Sequence, residues 1–272
     1  MNGPTPYWQD EEAGLQLYLG DMREVLPALE VQADLIVADP PYAETSLAWD
    51  RWPDGWPTLA ATAASSMWCF GSMRMFLDRA REFDGWKLSQ DVVGRHDDGE
   101  PVVGDVNVVW EKNTGSSRAT DRFRRVHEHA LHWYQGPWRD VHHAVPRVKA
   151  LPEATGHTRE GHVVRAIPVP HTGLYAAKPW VDDGTRLMRS VIRAQNMRGK
   201  AIHPTQKPSE ILQPLIEYAC PPGGLVVDPF AGSGSTLDAA RQSGRRAIGI
   251  EAHEPYAEAA ARRLSALTLP IA

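Results

Sequence analysis

LVVDPFAGSGSTLDAARQSGRRAIGIE, residues 225–251, is the stretch that decides the fold. LVVDPF (225–230) is an apolar run of the kind a buried strand shows. Gly232 and Gly234 follow as a sharp turn, and Ser235 and Thr236 open a helix, STLDAARQS (235–243). AIGIE (247–251) is a second strand, and it ends in an acid. A strand, a glycine turn, a helix and a second strand make a parallel βαβ unit.

Glycines let backbone amides approach a ligand, and a helix N-terminus favours a negative group. An acid at the tip of the second strand, here Glu251, accepts hydrogen bonds from ribose hydroxyls in nucleotide folds. A Walker loop would need a lysine after Gly234, and a dinucleotide fingerprint would need a third glycine where Leu237 stands. The crevice therefore suits a nucleoside ligand without a pyrophosphate, which points to S-adenosylmethionine.

Outward from this unit the same alternation continues. LQLYLG (15–20), DLIVAD (34–39), SSMWCFG (65–71), KLSQDVVGRH (87–96), VNVVWEK (106–112) and HALHWYQ (129–135) read as strands. MREVLPAL (22–29), RMFLDRAREF (74–83), PSEILQPLIEYAC (208–220) and EPYAEAAARRLSAL (254–267) read as helices. The fold class is α/β, with a doubly wound, mostly parallel sheet. From about 136 to 199 the periodicity fades into prolines, glycines, histidines and arginines, so an insertion is expected there. The catalytic domain is then 1–135 with 200–272.

The chain has 272 residues, 42% of them hydrophobic and 23% charged, as in an ordinary globule. No apolar stretch approaches the ~18–20 residues that span a bilayer. The first residues, MNGPTPYWQDEE, do not read as a secretory signal. Cys69 and Cys220 lack metal-ligand or CxxC spacing and read as buried thiols, which fits a reducing cytoplasm, in a prokaryotic cell or a phage-infected host. The histidines show no metal spacing, so no metal is expected. The net charge is −5, yet residues 118–207 hold sixteen Lys or Arg against seven Asp or Glu. A cationic surplus sustained over that length in an acidic protein suggests a surface that meets a polyanion.

DLIVADPPYAETSLAWD (34–50) poses the chemical question. Prolines directly after an apolar run forbid the strand to continue. Asp39 can accept a hydrogen bond from an amine, the Pro40 carbonyl can accept a second, and Tyr42 offers a flat face. Such a set suits a planar ring with an exocyclic amine, that is, a nucleobase.

Together DPPY (39–42), HPTQKP (203–208), DPFAGSGST (228–236) and GIEAHEPY (249–256) resemble the amino-methylating DNA methyltransferases. With the base motif first and the cofactor motif last, the order is similar to that of the circularly permuted β group, adenine-N6 type. AWD (48–50) and HEHALHWYQG (127–136) also look like family features. The resemblance implies a seven-stranded Rossmann-like sheet, S-adenosylmethionine as cofactor, double-stranded DNA as partner, and residues 136–199 as the target-recognition region. It implies that Asp39, Pro40, Pro41 and Tyr42 hold a flipped base. Asp228, Phe230, Gly232 and Gly234 would surround the methionine end of the cofactor, with Ser235 and Thr236 near its carboxylate. Glu251 would hold the ribose, Asp21 would lie near the adenine, and Thr205 and Lys207 would close over the methionine part beside Asp39. Candidate DNA contacts are Arg118, Arg122, Arg124 and Arg125, and Arg186, Arg189, Arg193, Arg198 and Lys200. A homodimer and a cognate restriction endonuclease are further family possibilities. Two rivals stay open: transfer to the N4 amine of cytosine, and a non-catalytic DNA- or cofactor-binding protein. Aspartate rather than serine at 39 tilts the resemblance toward adenine.

Overall fold

The computed structural model describes residues 3–47, 49–95, 101–105, 107–112, 121, 126–149, 167–169, 173–175, 183–194 and 206–268. They fall into two compact units, one of residues 1–89, 106–144 and 190–272, the other of 90–105 and 145–189.

The larger unit is built on one sheet of ten strands, three more than the seven expected. These are β1 (Trp8–Asp10), β2 (Leu15–Leu19), β3 (Leu35–Ala38), β4 (Ser66–Gly71), β5 (Lys87–Leu88), β6 (Asn107–Lys112), β7 (His127–Tyr134), β8 (Val191–Ala194), β9 (Leu225–Asp228) and β10 (Arg246–Glu251). Their spatial order is β1-β2-β10-β9-β3-β4-β7-β6-β8, with β5 beside β7. Strands β2, β10, β9, β3 and β4 are mutually parallel. β7 runs against its neighbours β4 and β6, and β8 returns parallel to β6. The C-terminal strands β9 and β10 thus lie between β2 and β3, which brings DPFAGSG beside DPPY.

Among the described residues six helices accompany the sheet: α1 (Met22–Leu29), α2 (Trp56–Ala63), α3 (Met73–Asp78), α4 (Ser209–Ala219), α5 (Ser235–Gln242) and α6 (Glu254–Thr268). Side chains alternate across a strand, so Ile36 and Ala38 pack with Met22 and Leu26 of α1 and Trp56 and Ala60 of α2. Leu35 and Val37, equally buried, belong to the other face. Trp68 of β4 reaches α4, donating its indole N–H to the Leu215 carbonyl at 2.9 Å. Cover on both faces explains why the parallel strands are apolar throughout rather than alternating.

Several elements depart from the sequence reading, the edge strands β1 and β8 among them. The expected strand 87–96 breaks at Ser89 into β5 and a segment, Gln90–Arg95, that pairs with Pro101–Asp105 in the smaller unit. The expected helix 74–83 stops at Asp78 and tightens into a 3-10 turn, Ala80–Phe83, which buries Phe83 against Trp56 and Trp133. Helix α2 is absent from the sequence reading, since Pro57 in its first turn and three alanines give it little amphipathic signal. The smaller unit also contains the ladders Arg147–Lys149 with Thr185–Leu187 and Ile167–Val169 with Gly173–Tyr175.

Candidate active site

At the carboxyl ends of β3, β9 and β10 lies a cavity of about 380 Å³. Parallel sheets bind ligands at this edge. Of the residues singled out in the sequence, Asp21, Asp39, Pro40, Pro41, Tyr42, Lys207, Asp228, Phe230, Gly232, Ser235, Thr236 and Glu251 line it. Gly234 does not: at φ +72° it caps α5 with its back to Leu264. Thr205, Arg118, Arg122, Arg124, Arg125, Arg198 and Lys200 lie outside the described residues. Arg186 and Arg189 sit in the smaller unit, and Arg193, exposed on β8, donates to Glu111 Oε2 at 2.7 Å.

Among the described residues seven carboxylates line the cavity (Asp21, Asp39, Glu44, Asp50, Glu128, Asp228 and Glu251) against three fixed cations, Arg23, Arg51 and Lys207. Glu251 Oε2 accepts the Gly232 amide at 2.8 Å, and Oε1 accepts the His253 amide at 2.8 Å. An ionised carboxylate has lone pairs left after two such bonds, so Glu251 can still receive hydroxyl donors. Asp228 accepts the Phe230 amide at 2.9 Å. Burial pushes its carboxyl up to about 7, against the Thr236 hydroxyl and the Phe230 amide, which favour the anion. Asp21 caps α1 by accepting the Arg23 amide at 2.8 Å, and its hydrogen bond from the Arg23 guanidinium holds it below the usual carboxylate range. Phe230 meets Trp56 edge-on, with centroids 5.3 Å apart.

At the other wall the loop after β3 is fixed by Asp50, whose two oxygens accept the Ala43 amide at 2.8 Å and the Thr45 amide at 2.6 Å. That buried acid of AWD holds the chain just after Tyr42, where Ala43 takes φ +56°. Lys207 is no surface lysine: its side chain is 6% exposed, and Nζ stands 2.5 Å from Asp39 Oδ2 and 3.5 Å from Glu128 Oε1. The Tyr42 hydroxyl lies 2.8 Å from Asp39 Oδ1 and 2.9 Å from Glu128 Oε1. Lys112 Nζ closes the group at 2.7 Å from Glu128 Oε2. Burial, with Asp39 and Glu128 nearby, pushes the Tyr42 phenol well above its ordinary value, so it stays protonated.

Residues 33–262 match the N6/N4 DNA methylase family. The chain belongs to that family. A methylase of Escherichia coli K12, YubD, is 58% identical over 69 residues, which are 25% of this chain and 30% of YubD. The match thus spans less than a third of that curated relative. The crystal structure of the M1.HpyAVI complex with S-adenosylmethionine superposes with a TM-score of 0.59 at 23% identity, over 92% of this chain and 98% of that one. PvuII DNA methyltransferase, which is cytosine-N4-specific, gives 0.59 at 14% identity, over 96% and 89%. At such identities the likeness concerns the α/β methyltransferase fold.

Glu128, Lys112, Asp50, Glu44, Arg23 and Arg51 have no assigned role in the sequence reading, although Asp50 and Glu128 lie within AWD and HEHALHWYQG. An acid inside HEHALHWY, an otherwise aromatic and apolar strand, was the available signal for Glu128. Glu128 faces DPPY only because β7 runs antiparallel next to β4, which no local pattern declares.

Proposed function

We propose that this methylase moves a methyl group from S-adenosylmethionine to the N6 amine of an adenine in double-stranded DNA. The observation that carries the reading is the acid-lined cavity that joins Glu251 and Asp228 to the Asp39-Pro40-Pro41-Tyr42 loop. Acids outnumber fixed cations among the described lining residues, which would repel a pyrophosphate and favour a cationic nucleoside, so the donor set fits this cofactor. S-adenosylmethionine, when bound, supplies a methyl group on a sulfonium. Glu251 accepts the ribose hydroxyls, with Asp21 near the adenine. Asp228 and Phe230 border the methionine part, and Ser235 and Thr236 offer donors to its carboxylate.

A paired base cannot present its amine, so the target must leave the stack. Tyr42 carries its ring, while Asp39 and the Pro40 carbonyl each accept an amine hydrogen. This turns the nitrogen lone pair out of conjugation and toward the methyl. Asp39 is also an acceptor for the proton the nitrogen sheds. The catalysis is positioning and electrostatics, with no covalent enzyme intermediate. Neither cysteine offers one: both are buried, and Cys220 is pushed up to about 12 chiefly by burial. We assign target recognition to residues 136–199 and read the permuted order from β9 and β10 lying between β2 and β3.

Mass spectrometry of nucleosides, from DNA of a methylase-free host expressing the chain, should reveal N6-methyladenine. The mark should vanish with Asp39→Ala. N4-methylcytosine would move the reading to the cytosine branch of the family, and equal methylation by wild type and Asp39→Ala would remove Asp39 from the chemistry.

A further inference from the structure

Asp39 is already engaged. Tyr42 holds one oxygen, and the Lys207 ammonium stands 2.5 Å from the other. An amine that seeks this carboxylate must displace a cation, and a buried ammonium cannot simply be left unpaired. Among the described residues Lys207 has two ion-pair partners, Asp39 and Glu128. Nζ lies between them, so a small rotation of the outer side-chain bonds exchanges one for the other. The Tyr42 hydroxyl is placed in the same way between the same two carboxylates, and its single proton cannot serve both at once.

Glu128 is equipped to receive both. Its second oxygen is anchored by Lys112, whose ammonium lies over the Trp110 ring, 4.6 Å from the centroid. Burial would raise its carboxyl, but Lys207 and Lys112 outweigh burial and hold it at about 2. Asp39 moves the other way, raised chiefly by burial. Of the two acids that share the lysine, Glu128 is the one held ionised in this arrangement.

We propose that Glu128 is a positioning residue of the methyl-transfer site, the second seat to which the Lys207 ammonium and the Tyr42 hydroxyl pass when the target amine takes Asp39. The inference rests on the reading that Asp39 holds the amine. Glu128 touches no reacting atom; it keeps the lysine paired and the tyrosine ring in place while Asp39 changes partners.

The test compares full-length wild type, Glu128→Gln, Glu128→Asp, Lys207→Gln, Glu128→Gln with Lys207→Gln, and Asp39→Ala. Single-turnover transfer from saturating labelled S-adenosylmethionine to unmethylated genomic DNA gives the rate, and titration calorimetry gives cofactor affinity. Glu128→Gln should slow transfer roughly tenfold or more, as loss of one partner of a buried charge pair does. Cofactor affinity should stay within about twofold, and Glu128→Asp should recover part of the rate. The double variant should lose less than the sum of the two single losses, because no ammonium then has to be moved. A near-wild-type rate in Glu128→Gln, a loss matched by lost cofactor affinity, or additive losses in the double variant would each overturn the proposal. If the glutamine variant does not fold, Glu128→Asp carries the comparison: a wild-type rate despite its shorter reach overturns the seat, and a slowed rate at unchanged cofactor affinity supports it. Asp39→Ala separates the layers: its inactivity beside an active Glu128→Gln would sink only the role of Glu128, whereas its full activity would sink the amine site itself.

Discussion

At one end of the cavity Glu251 and Asp228 are gripped by backbone amides, from Gly232, His253 and Phe230, two or nineteen residues away in the chain. At the other end Asp39 and Glu128 are gripped by side chains, with Lys207 lying 168 residues from Asp39 and Tyr42 lying 86 from Glu128. Amides do not swing, so the first grip is fixed once the βαβ unit has folded. Lysine and tyrosine side chains rotate, so the second grip can change partners. A pocket that only receives a diffusible ligand can be rigid. A pocket that admits a base drawn out of a duplex has to release something first.

The largest effect that would break this comparison falls on the rigid end. Glu251→Ala removes the acceptor proposed for the ribose and strands the Gly232 amide. Hydrogen bonds to charged groups are worth about 1.5–3 kcal/mol, so cofactor Kd should rise roughly 10–150-fold. Calorimetry with S-adenosylmethionine measures it directly. A change below about threefold would mean that Glu251 serves the loop and not the ligand.

Asp228→Asn is smaller and carries a sign. The Asp228 carboxyl sits at about 7 in the fold against 3.8 as its ordinary value. The unfolded chain releases this proton first, so the wild type loses stability as pH rises from the ordinary value through 7. Asparagine removes that loss. Melting should therefore show the variant gaining on the wild type at pH 8 and not at pH 4. The anion is the form that favours a cationic ligand, so wild-type affinity should fall as pH drops below 7. The variant should bind roughly tenfold more weakly at pH 8 and with no such pH dependence. A variant that melts below the wild type at pH 8 would show that Asp228 is ionised and stabilising there.

The same contrast explains what could be read in advance. The rigid end was legible because each partner lies within one βαβ unit: the strand, the glycine turn and the terminal acid are consecutive in 225–251. The DPPY loop was legible for a similar reason, since proline after an apolar strand is a local statement. Lys112, Glu128 and Lys207 were not legible as one cluster, because β6, β7 and the segment before α4 meet only through sheet order. Asp50 fell between these cases. Its carboxylate closes a short loop, but that geometry depends on Ala43 in a left-handed conformation that alanine seldom adopts. The edge strand β8 was obscure because only Ile192 of its four residues is fully buried, so the alternation has almost nothing to display.

Gly234 gives the smallest effect and divides the glycine turn itself. Both glycines take positive φ, yet Gly232 faces the cavity, whereas Gly234 turns its α-carbon to α6. A Cβ at 234 would stand 3.2 Å from Leu264 Cδ1, a contact that a flexible leucine can relieve. What remains is the left-handed backbone, which costs an L-residue about 1–2 kcal/mol. Gly234→Ala should lower Tm by roughly 2–8 °C in a protein of this size. Cofactor Kd should stay within about twofold, since nothing at the cavity wall moves. If affinity fell further with an unchanged Tm, the turn would be acting on the ligand through residue 234 after all, and the grip at the rigid end would reach beyond the amides of Gly232, Phe230 and His253.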